Sequence, residues 1–358
     1  MSPHKKHVRV VIADDSLVAR EMISQILSSD PVIEVVGQAK DGVEAVELVT
    51  KLRPDLVTMD IHMPRLDGLG AIEQIMAYTP TPILVVSSSV RGEGLGSAFD
   101  ALALGALEVI KKPEPADWED LQQIGRDVIR KVKVLASVRV ITHIRGRRER
   151  RVAEVAHSLA SPTHRGIVAI GSSTGGPSAL LAVLGRLPAD FKAPILVAQH
   201  IADGFVPGLV SWLNAGCEIT VAAAEEGVRP QPGIAYFAPT GSNMIIQSGA
   251  LSFVSPGRGQ LYIPSADTLF DSVASEFGKR SVGVLLTGMG ADGAKAMKEM
   301  RDAGAYNVAQ DEASCVVFGM PREAINAGAC QEVLPLKKIA SHLLEHLRST
   351  AGMSLNRV

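Results

Sequence analysis

The sequence predicts two α/β units in tandem, each a doubly wound parallel sheet with helices on both faces. The second unit also carries a small antiparallel β element. Three observations predict this. Short runs rich in Val and Ile alternate with helix-like runs from residue 8 to residue 113. The same alternation restarts at Gly166, after a strongly basic stretch. The chain, at 358 residues, also exceeds what one hydrophobic core usually organises. The expected boundaries are residues 6–124 for the first unit, 125–163 for a basic linker and 164–355 for the second unit.

In the first unit the strand-like runs are VRVVIADD, IEVVGQA, DLVTMD, PILVVSS and LEVIKKP, five in all. Between the first two lies SLVAREMISQILSS, with Leu17, Val18, Ile23, Ile26 and Leu27 near helical spacing and Ser16 placed as an N-cap. Repeated βα units of this length imply a five-stranded parallel sheet. From Gly125 to Thr163 the chain is helix-permissive and then basic, reading HIRGRRERRVAE from His143. Buried strands follow at GIVAIG, PILVAQH and SVGVLLTG. The Gly/Pro-punctuated region from Glu218 to Pro264 reads as short antiparallel strands and turns. A helical stretch, KKIASHLLEHLRS, comes last.

Composition narrows the function classes. Thirty-six Lys plus Arg oppose 38 Asp plus Glu, a formal net charge of -2, so no bulk pull toward nucleic acid or membrane is expected. The basic run has no recognition helix or zinc knuckle beside it and reads as a solvated linker. Cys217, Cys315 and Cys330 form no C-x-x-C, which argues against a zinc site or a disulfide framework. The N-terminal apolar run is cut short by Asp14 and Asp15, too early for a signal peptide, and no segment suits membrane insertion. A cytoplasmic protein is expected.

The first unit places chemistry at successive strand ends. Asp14 and Asp15 end the first strand, Asp60 the third, Ser87 the fourth and Lys112 the fifth. In a parallel sheet these ends lie on one edge, where ligands bind. Three carboxylates meeting there repel unless a cation sits among them, and Mg²⁺ suits oxygen ligands of this kind. Lys112 and Ser87 can hold a transferring phosphoryl group, with Asp60 as carboxylate nucleophile.

With the Asp14-Asp15 pair, the MDIHMPRLDGL segment around Asp60, the Ser87 hydroxyl and the Lys112-Pro113 pair, residues 8 to about 124 resemble a response-regulator receiver domain. The resemblance implies a flavodoxin-like fold and phosphorylation of Asp60 by a histidine kinase. It implies Mg²⁺ held by Asp15, Asp60 and the His62 carbonyl, with Asp14 acting mainly through water. One departure is Val109, two residues before Lys111, where many receivers carry an aromatic switch residue.

The second unit opens with GIVAIGSSTGGPSALLAVLGRL. A phosphate cradle would need a lysine after the glycine turn, and Pro177 stands there instead. What matches is G-x-S-x-G over Gly171–Gly175, which exposes a serine on a sharp strand-to-helix turn. His200 ends PILVAQH, and Asp292 follows SVGVLLTG in the loop MGADG. A serine, a histidine and an aspartate just past three apolar strands can converge as nucleophile, base and orienter.

The segments IGSSTGGP, AQH followed by Gly204-Phe205, PSADTLFDSVA and LLTGMGADGAKAM resemble the CheB family of chemotaxis protein-glutamate methylesterases. The likeness covers nearly the whole chain in the family's order. It implies Ser173 as nucleophile, His200 as base and Asp292 as orienter. Thr174 would be a supporting hydroxyl, and the backbone N–H near Met289 would help form the oxyanion hole. No cofactor is expected for this chemistry. The implied substrate is a methylated glutamate on the cytoplasmic helices of chemoreceptors, with glutamine deamidation as a second reaction. The receiver is expected to inhibit the esterase until phosphorylated. Two departures are Ser172, where the family often has Ala, and QHIAD, where it commonly has QHMP. A DNA-binding regulator using the basic run would leave Ser173, His200 and Asp292 unexplained, and covalent labelling of Ser173 by a serine-directed phosphonate separates an esterase from a phosphate- or nucleotide-binding domain built on the glycine turn.

Overall fold

Parallel strand pairing organises both halves of the chain. The computed structural model describes residues 7–88, 94–113, 118–140 and 166–355. The chain divides into two compact units, Met1–Arg148 and Glu149–Val358. The basic run and the rest of the expected linker from residue 141 lie outside the described residues.

In the first unit the order is β1 (Val8–Ala13), α1 (Leu17–Ser28), β2 (Ile33–Ala39), α2 (Gly42–Leu52), β3 (Leu56–Met59), α3 (Gly68–Tyr78), β4 (Ile83–Ser87), α4 (Gly94–Ala103), β5 (Glu108–Lys111) and α5 (Trp118–Leu135). The five strands pair in parallel in the order β2-β1-β3-β4-β5, as the alternation predicts. Each crossover between parallel strands needs a long connection, which the helices supply. The Ser16 hydroxyl caps α1 by accepting from the Ala19 N–H at 3.3 Å. Ala19, Ile23, Ile26 and Leu27 form the buried stripe of α1, whereas Leu17 and Val18 face solvent.

Helix α5 crosses residue 124, where the first unit was expected to end. It runs on to Leu135, because Val128, Val132 and Leu135 continue an apolar stripe that is buried. Gly125 sits within reach of Ile26 on α1. The first residues assigned to the linker therefore belong to the packed unit.

In the second unit the order is β6 (Ile167–Ser172), α6 (Gly176–Leu184), β7 (Ile195–Gln199), α7 (Val206–Gly216), β8 (Thr220–Ala223), β9 (Ile234–Phe237), β10 (Asn243–Gln247), β11 (Ala250–Val254), α8 (Ala266–Phe277), β12 (Ser281–Leu285), α9 (Ala294–Asp302), β13 (Tyr306–Gln310), α10 (Met320–Asn326), β14 (Glu332–Leu334) and α11 (Leu336–Leu355). Seven strands form one sheet in the order β14-β13-β12-β6-β7-β9-β8, with all pairs parallel. The chain moves outward from β6 to β7, then returns to β12 on the other side of β6. Strand order thus reverses at β6 and β12, where open α/β sheets form a crevice.

The antiparallel reading of residues 218–264 holds only for β10 and β11. Strands β8 and β9 join the main sheet in parallel instead. The segment between them does not fold into a hairpin; Gly227 and Val228 exchange backbone bonds with Leu251. Among the described residues, no helix is long and apolar enough to cross a membrane.

Helix α8 closes the core over β6 through Leu269, Phe270 and Val273, all fully buried. A Cβ placed on Gly171 would lie 3.3 Å from Phe270 Cζ, so the ring rests directly on the strand. Phe270→Ala should destabilise this unit by about 3–5 kcal/mol, the cost of a large aromatic cavity. Scanning calorimetry should show its melting transition lowered by roughly 6–20 °C.

Candidate active site

Ser173 follows β6, His200 follows β7 and Asp292 lies in the loop after β12. The three strands are neighbours in the sheet, in the order β12-β6-β7. Parallel pairing therefore delivers all three side chains to one edge.

Asp292 is the most heavily bonded of the three. Its Oδ1 accepts from the Ser265 hydroxyl at 2.8 Å and the Asp267 N–H at 3.1 Å. Its Oδ2 accepts from the Ala266 N–H at 2.6 Å and lies 2.8 Å from His200 Nε2. Ser265 is the N-cap of α8, so the carboxylate sits on the positive end of that helix. Burial pushes the Asp292 carboxyl up, but the His200 bond and charge and the two α8 N–H groups outweigh it. The result lies below the ordinary value of 3.8. An ionised carboxylate can only accept, so the proton of this bond is on His200 Nε2. His200 Nδ1 is the nitrogen left over; it is buried without a hydrogen-bond partner. The imidazole stacks on the Tyr262 ring, centroids 4.7 Å apart and planes 8° apart.

Ser173 is 7% exposed on the turn between β6 and α6. Gly175 takes φ 75°, a left-handed conformation that suits glycine and turns the strand into the helix. No side chain caps α6; the Gly176 N–H donates to the Ser173 carbonyl at 2.7 Å, and Pro177, which follows it, has no N–H. Gln199 clamps the turn. Its Nε2 donates to the Ser173 carbonyl at 3.0 Å and the His200 carbonyl at 2.7 Å, and its Oε1 accepts from the Ser172 hydroxyl at 2.6 Å. Ser172 is thus a buried structural donor. Thr174 is buried too, and its carbonyl accepts from the Thr287 hydroxyl at 3.0 Å.

The loop after β12 presses on the serine from the other side. The Thr287 carbonyl accepts from the Ser173 N–H at 3.0 Å. At Gly288 a Cβ would lie 2.7 Å from Ser173 Cβ, so only glycine allows this approach. Met289 follows in the same loop. Its neighbour Gly288 is anchored by accepting from the Gly319 and Met320 N–H groups at 3.1 and 2.9 Å.

The first unit assembles its own cluster. The Lys112 ammonium lies 2.7 Å from Asp14 Oδ2 and 3.0 Å from Asp60 Oδ2. Asp60 Oδ1 accepts from the Ile61 N–H at 2.8 Å. Burial, with Asp14 adding to it and Lys112 opposing, pushes the Asp60 carboxyl up. Burial lowers Lys112, but Asp14 and Asp60 prevail and hold the ammonium above its ordinary value. The Ser87 carbonyl accepts from the Lys112 N–H at 2.8 Å, which sets these two strand ends side by side. Carboxylate oxygens of Asp14, Asp15 and Asp60 lie within 4.8 Å of one another. Of the three, Asp15 lines a surface recess of about 460 Å³, together with Ile61 and His62. Three hard oxygen donors at this spacing fit a divalent cation such as Mg²⁺.

Residues 168–343 match the family model described as CheB methylesterase, and residues 10–124 match the response regulator receiver domain. A protein of Anaeromyxobacter dehalogenans (strain 2CP-C), named protein-glutamate methylesterase/protein-glutamine glutaminase 2, is 44% identical over 95% of this chain and 97% of its own length. The chain belongs to the CheB methylesterase family. A Syntrophus aciditrophicus (strain SB) protein, named protein-glutamate methylesterase/protein-glutamine glutaminase 1, is 42% identical over 96% of this chain and 99% of its own. The crystal structure of the Thermotoga maritima CheB methylesterase catalytic domain is 38% identical, covering 51% of this chain and 98% of that one, with a TM-score of 0.48. The CheB receiver of this chain carries the acidic cluster through which receiver domains typically bind Mg²⁺.

Sequence reasoning did not assign roles to Ser265, Gln199, Thr287 or Tyr262. A signal existed for two of them. Gln199 is a polar residue in an otherwise apolar buried strand, and Ser265 directly precedes a helical run.

The depressed Asp292 carboxyl has a measurable consequence. A carboxyl lowered by folding contributes stability above its unfolded value, and that contribution is lost as pH falls through the folded one. The urea-midpoint gap between wild type and Asp292→Asn should be widest near neutrality and narrow below about pH 4. An unchanging gap from pH 7 to pH 3 would show that the carboxylate's charge contributes nothing there.

Proposed function

We propose that the chain hydrolyses glutamate γ-methyl esters on receptor proteins with a Ser173-His200-Asp292 triad, under control of phosphorylation at Asp60. In this reading a receiver unit, a basic connecting segment and an esterase unit follow in that order. The observation that carries it is the His200 imidazole. Its Nε2 is spent on an ionised carboxylate, and its buried Nδ1 is left unpartnered at the strand edge that bears Ser173.

In the reaction, His200 Nδ1 takes the proton of Ser173 as Oγ attacks the ester carbonyl. Asp292 stabilises the imidazolium that forms and holds the tautomer. The oxyanion is received by the backbone N–H at Met289, with Thr174 as a supporting hydroxyl. Collapse breaks the C–OCH₃ bond, and the departing methoxide takes the proton from His200 and leaves as methanol. Water then attacks the acyl-enzyme with His200 again as base, restoring glutamate and free Ser173. Ammonia as leaving group makes the same cycle a glutamine deamidation. The relatives named protein-glutamate methylesterase/protein-glutamine glutaminase support both reactions. The esterase steps involve no cofactor.

In the receiver, Asp60 is the phosphoryl acceptor. Asp15, Asp60 and the His62 carbonyl would hold Mg²⁺, with Asp14 contributing through water. The ion supplies charge neutralisation at the phosphoryl group. Lys112 and Ser87 bind that group's oxygens once Asp60 carries it. The phosphodonor is a histidine kinase of the chemotaxis type, and the substrates are cytoplasmic helices of methyl-accepting receptors. This places the protein in the cytoplasm, with no nucleic-acid partner.

Ser173→Ala should reduce methanol release from methyl-labelled receptor by on the order of 10⁴-fold or more, since triad members act as a unit. Ser172→Ala should keep most activity and lower stability by about 1–3 kcal/mol, because Gln199 Oε1 loses its buried donor. The reverse pattern would move the nucleophile by one residue. Asp60→Asn should keep basal methanol release, take up no phosphate and lose all response to a small phosphodonor. A variant still labelled to full stoichiometry would exclude Asp60 as the acceptor.

A further inference from the structure

Tyr262 lies just ahead of α8, and the reaction described above gives it no part. Its ring is parallel to the His200 imidazole, with centroids 4.7 Å apart and planes 8° apart. The far end of the ring is braced. A Cβ added at Gly290 would overlap the Tyr262 hydroxyl and lie 3.0 Å from Tyr262 Cζ. Gly290 directly follows Met289, and Ser265, three residues beyond Tyr262, holds Asp292. Tyr262 is therefore wedged between the imidazole face and the loop that carries Met289 and Asp292.

The imidazole needs such a wedge. One hydrogen bond from Nε2 to Asp292 fixes one atom of the ring but leaves the ring free to tilt about that bond. Nδ1 makes no hydrogen bond that would stop the tilt. A parallel aromatic plane against the ring face removes this freedom. It also presents the negative face of a π system to an imidazole that becomes cationic when it accepts the serine proton. That contact is stronger in the transition state than in the ground state, so its effect falls on kcat.

The geometry points to Tyr262 as a positioning residue for the general base: its ring holds the His200 plane so that Nδ1 faces Ser173, and it favours the imidazolium. The proposal rests on the reading of His200 as base to Ser173. It assigns the work to the aromatic ring, not to the phenolic hydroxyl.

The test compares Tyr262→Phe, Tyr262→Leu and Tyr262→Ala in the full chain, with melting temperature recorded for each. One arm measures kcat and KM for methanol release from methylated receptor. The other measures the rate at which a fluorophosphonate inactivates Ser173, which needs the base and the nucleophile but no receptor. Tyr262→Ala and Tyr262→Leu should lower kcat and the inactivation rate together by about 10- to 100-fold, the scale of a misplaced catalytic group. KM should move less than about 3-fold, because no substrate contact is lost. Tyr262→Phe should restore most of both rates. If Tyr262→Ala does not fold, Tyr262→Leu fills much of the same space and the Leu–Phe comparison decides. Full activity in a folded Tyr262→Leu overturns the proposal. So does a change confined to KM, which would make Tyr262 a substrate contact, or a Tyr262→Phe as slow as Tyr262→Ala, which would give the role to the hydroxyl. Failure of the underlying reading looks different. Wild type labelled at Ser173 but releasing no methanol sinks the methylesterase reading and leaves the inactivation arm to judge Tyr262. Wild type unlabelled at Ser173 removes the base assignment and the proposal with it.

Discussion

The buried Asp292 carboxylate is the joint on which the edge of the second sheet is assembled. A carboxylate taken out of water costs several kcal/mol unless donors replace its hydration. Here the donors are the Ser265 hydroxyl, two N–H groups at the start of α8 and His200 at the end of β7. Each comes from a different part of the chain than the loop that carries Asp292. Satisfying one ion therefore fixes α8, the β12 loop and the end of β7 relative to one another. The same bonds hold the carboxyl ionised, and the ionised carboxylate sets the imidazole tautomer.

The receiver cluster is the inverse problem. Asp14 and Asp60 are both almost fully buried, and the Asp14 carboxylate disfavours the charge of Asp60. Lys112 sits between them and relieves part of this repulsion. One ammonium against the carboxylates of Asp14, Asp15 and Asp60 still leaves the cluster anionic. A hard divalent cation suits that excess. Both units thus put charge at the C-terminal ends of parallel strands, where the sheet geometry gathers side chains from distant stretches of sequence.

Close approach is the second constraint on the esterase edge. The Ser173 turn is gripped from one side by Gln199 and from the other by Thr287 and Gly288. A side chain at Gly288 would push the β12 loop off the serine. Thr287 extends the grip to Val317, whose N–H donates to its hydroxyl at 2.9 Å and whose carbonyl accepts from the Gly288 N–H at 3.0 Å. Glycine and buried polar residues take these positions because apolar side chains would fill the space that the turn needs.

Much of this was legible in the sequence. The parallel sheets followed from alternating apolar runs, and Ser173, His200, Asp292, Asp14, Asp60 and Lys112 stood out because each ends such a run. Local patterning says where a strand stops, and in a parallel sheet that is enough to say which edge a residue reaches. It does not say which strands are neighbours. Strands β8 and β9 were expected to be antiparallel and joined the main sheet. Helix α5 continued past the expected boundary because its stripe found a surface to cover. Leu17 and Val18 look apolar and helical yet lie outside, since the packing of α1 selects the stripe beginning at Ala19. The partners of Asp292 lie between 25 and 92 residues from it in sequence. No local propensity links residues so far apart. The sequence by itself determined the strand ends and the residue types placed on them. Only the tertiary structure decided which carboxylate oxygen meets which donor, which imidazole nitrogen is left over, and that Tyr262 lies against the ring, because those choices are made by packing between distant segments.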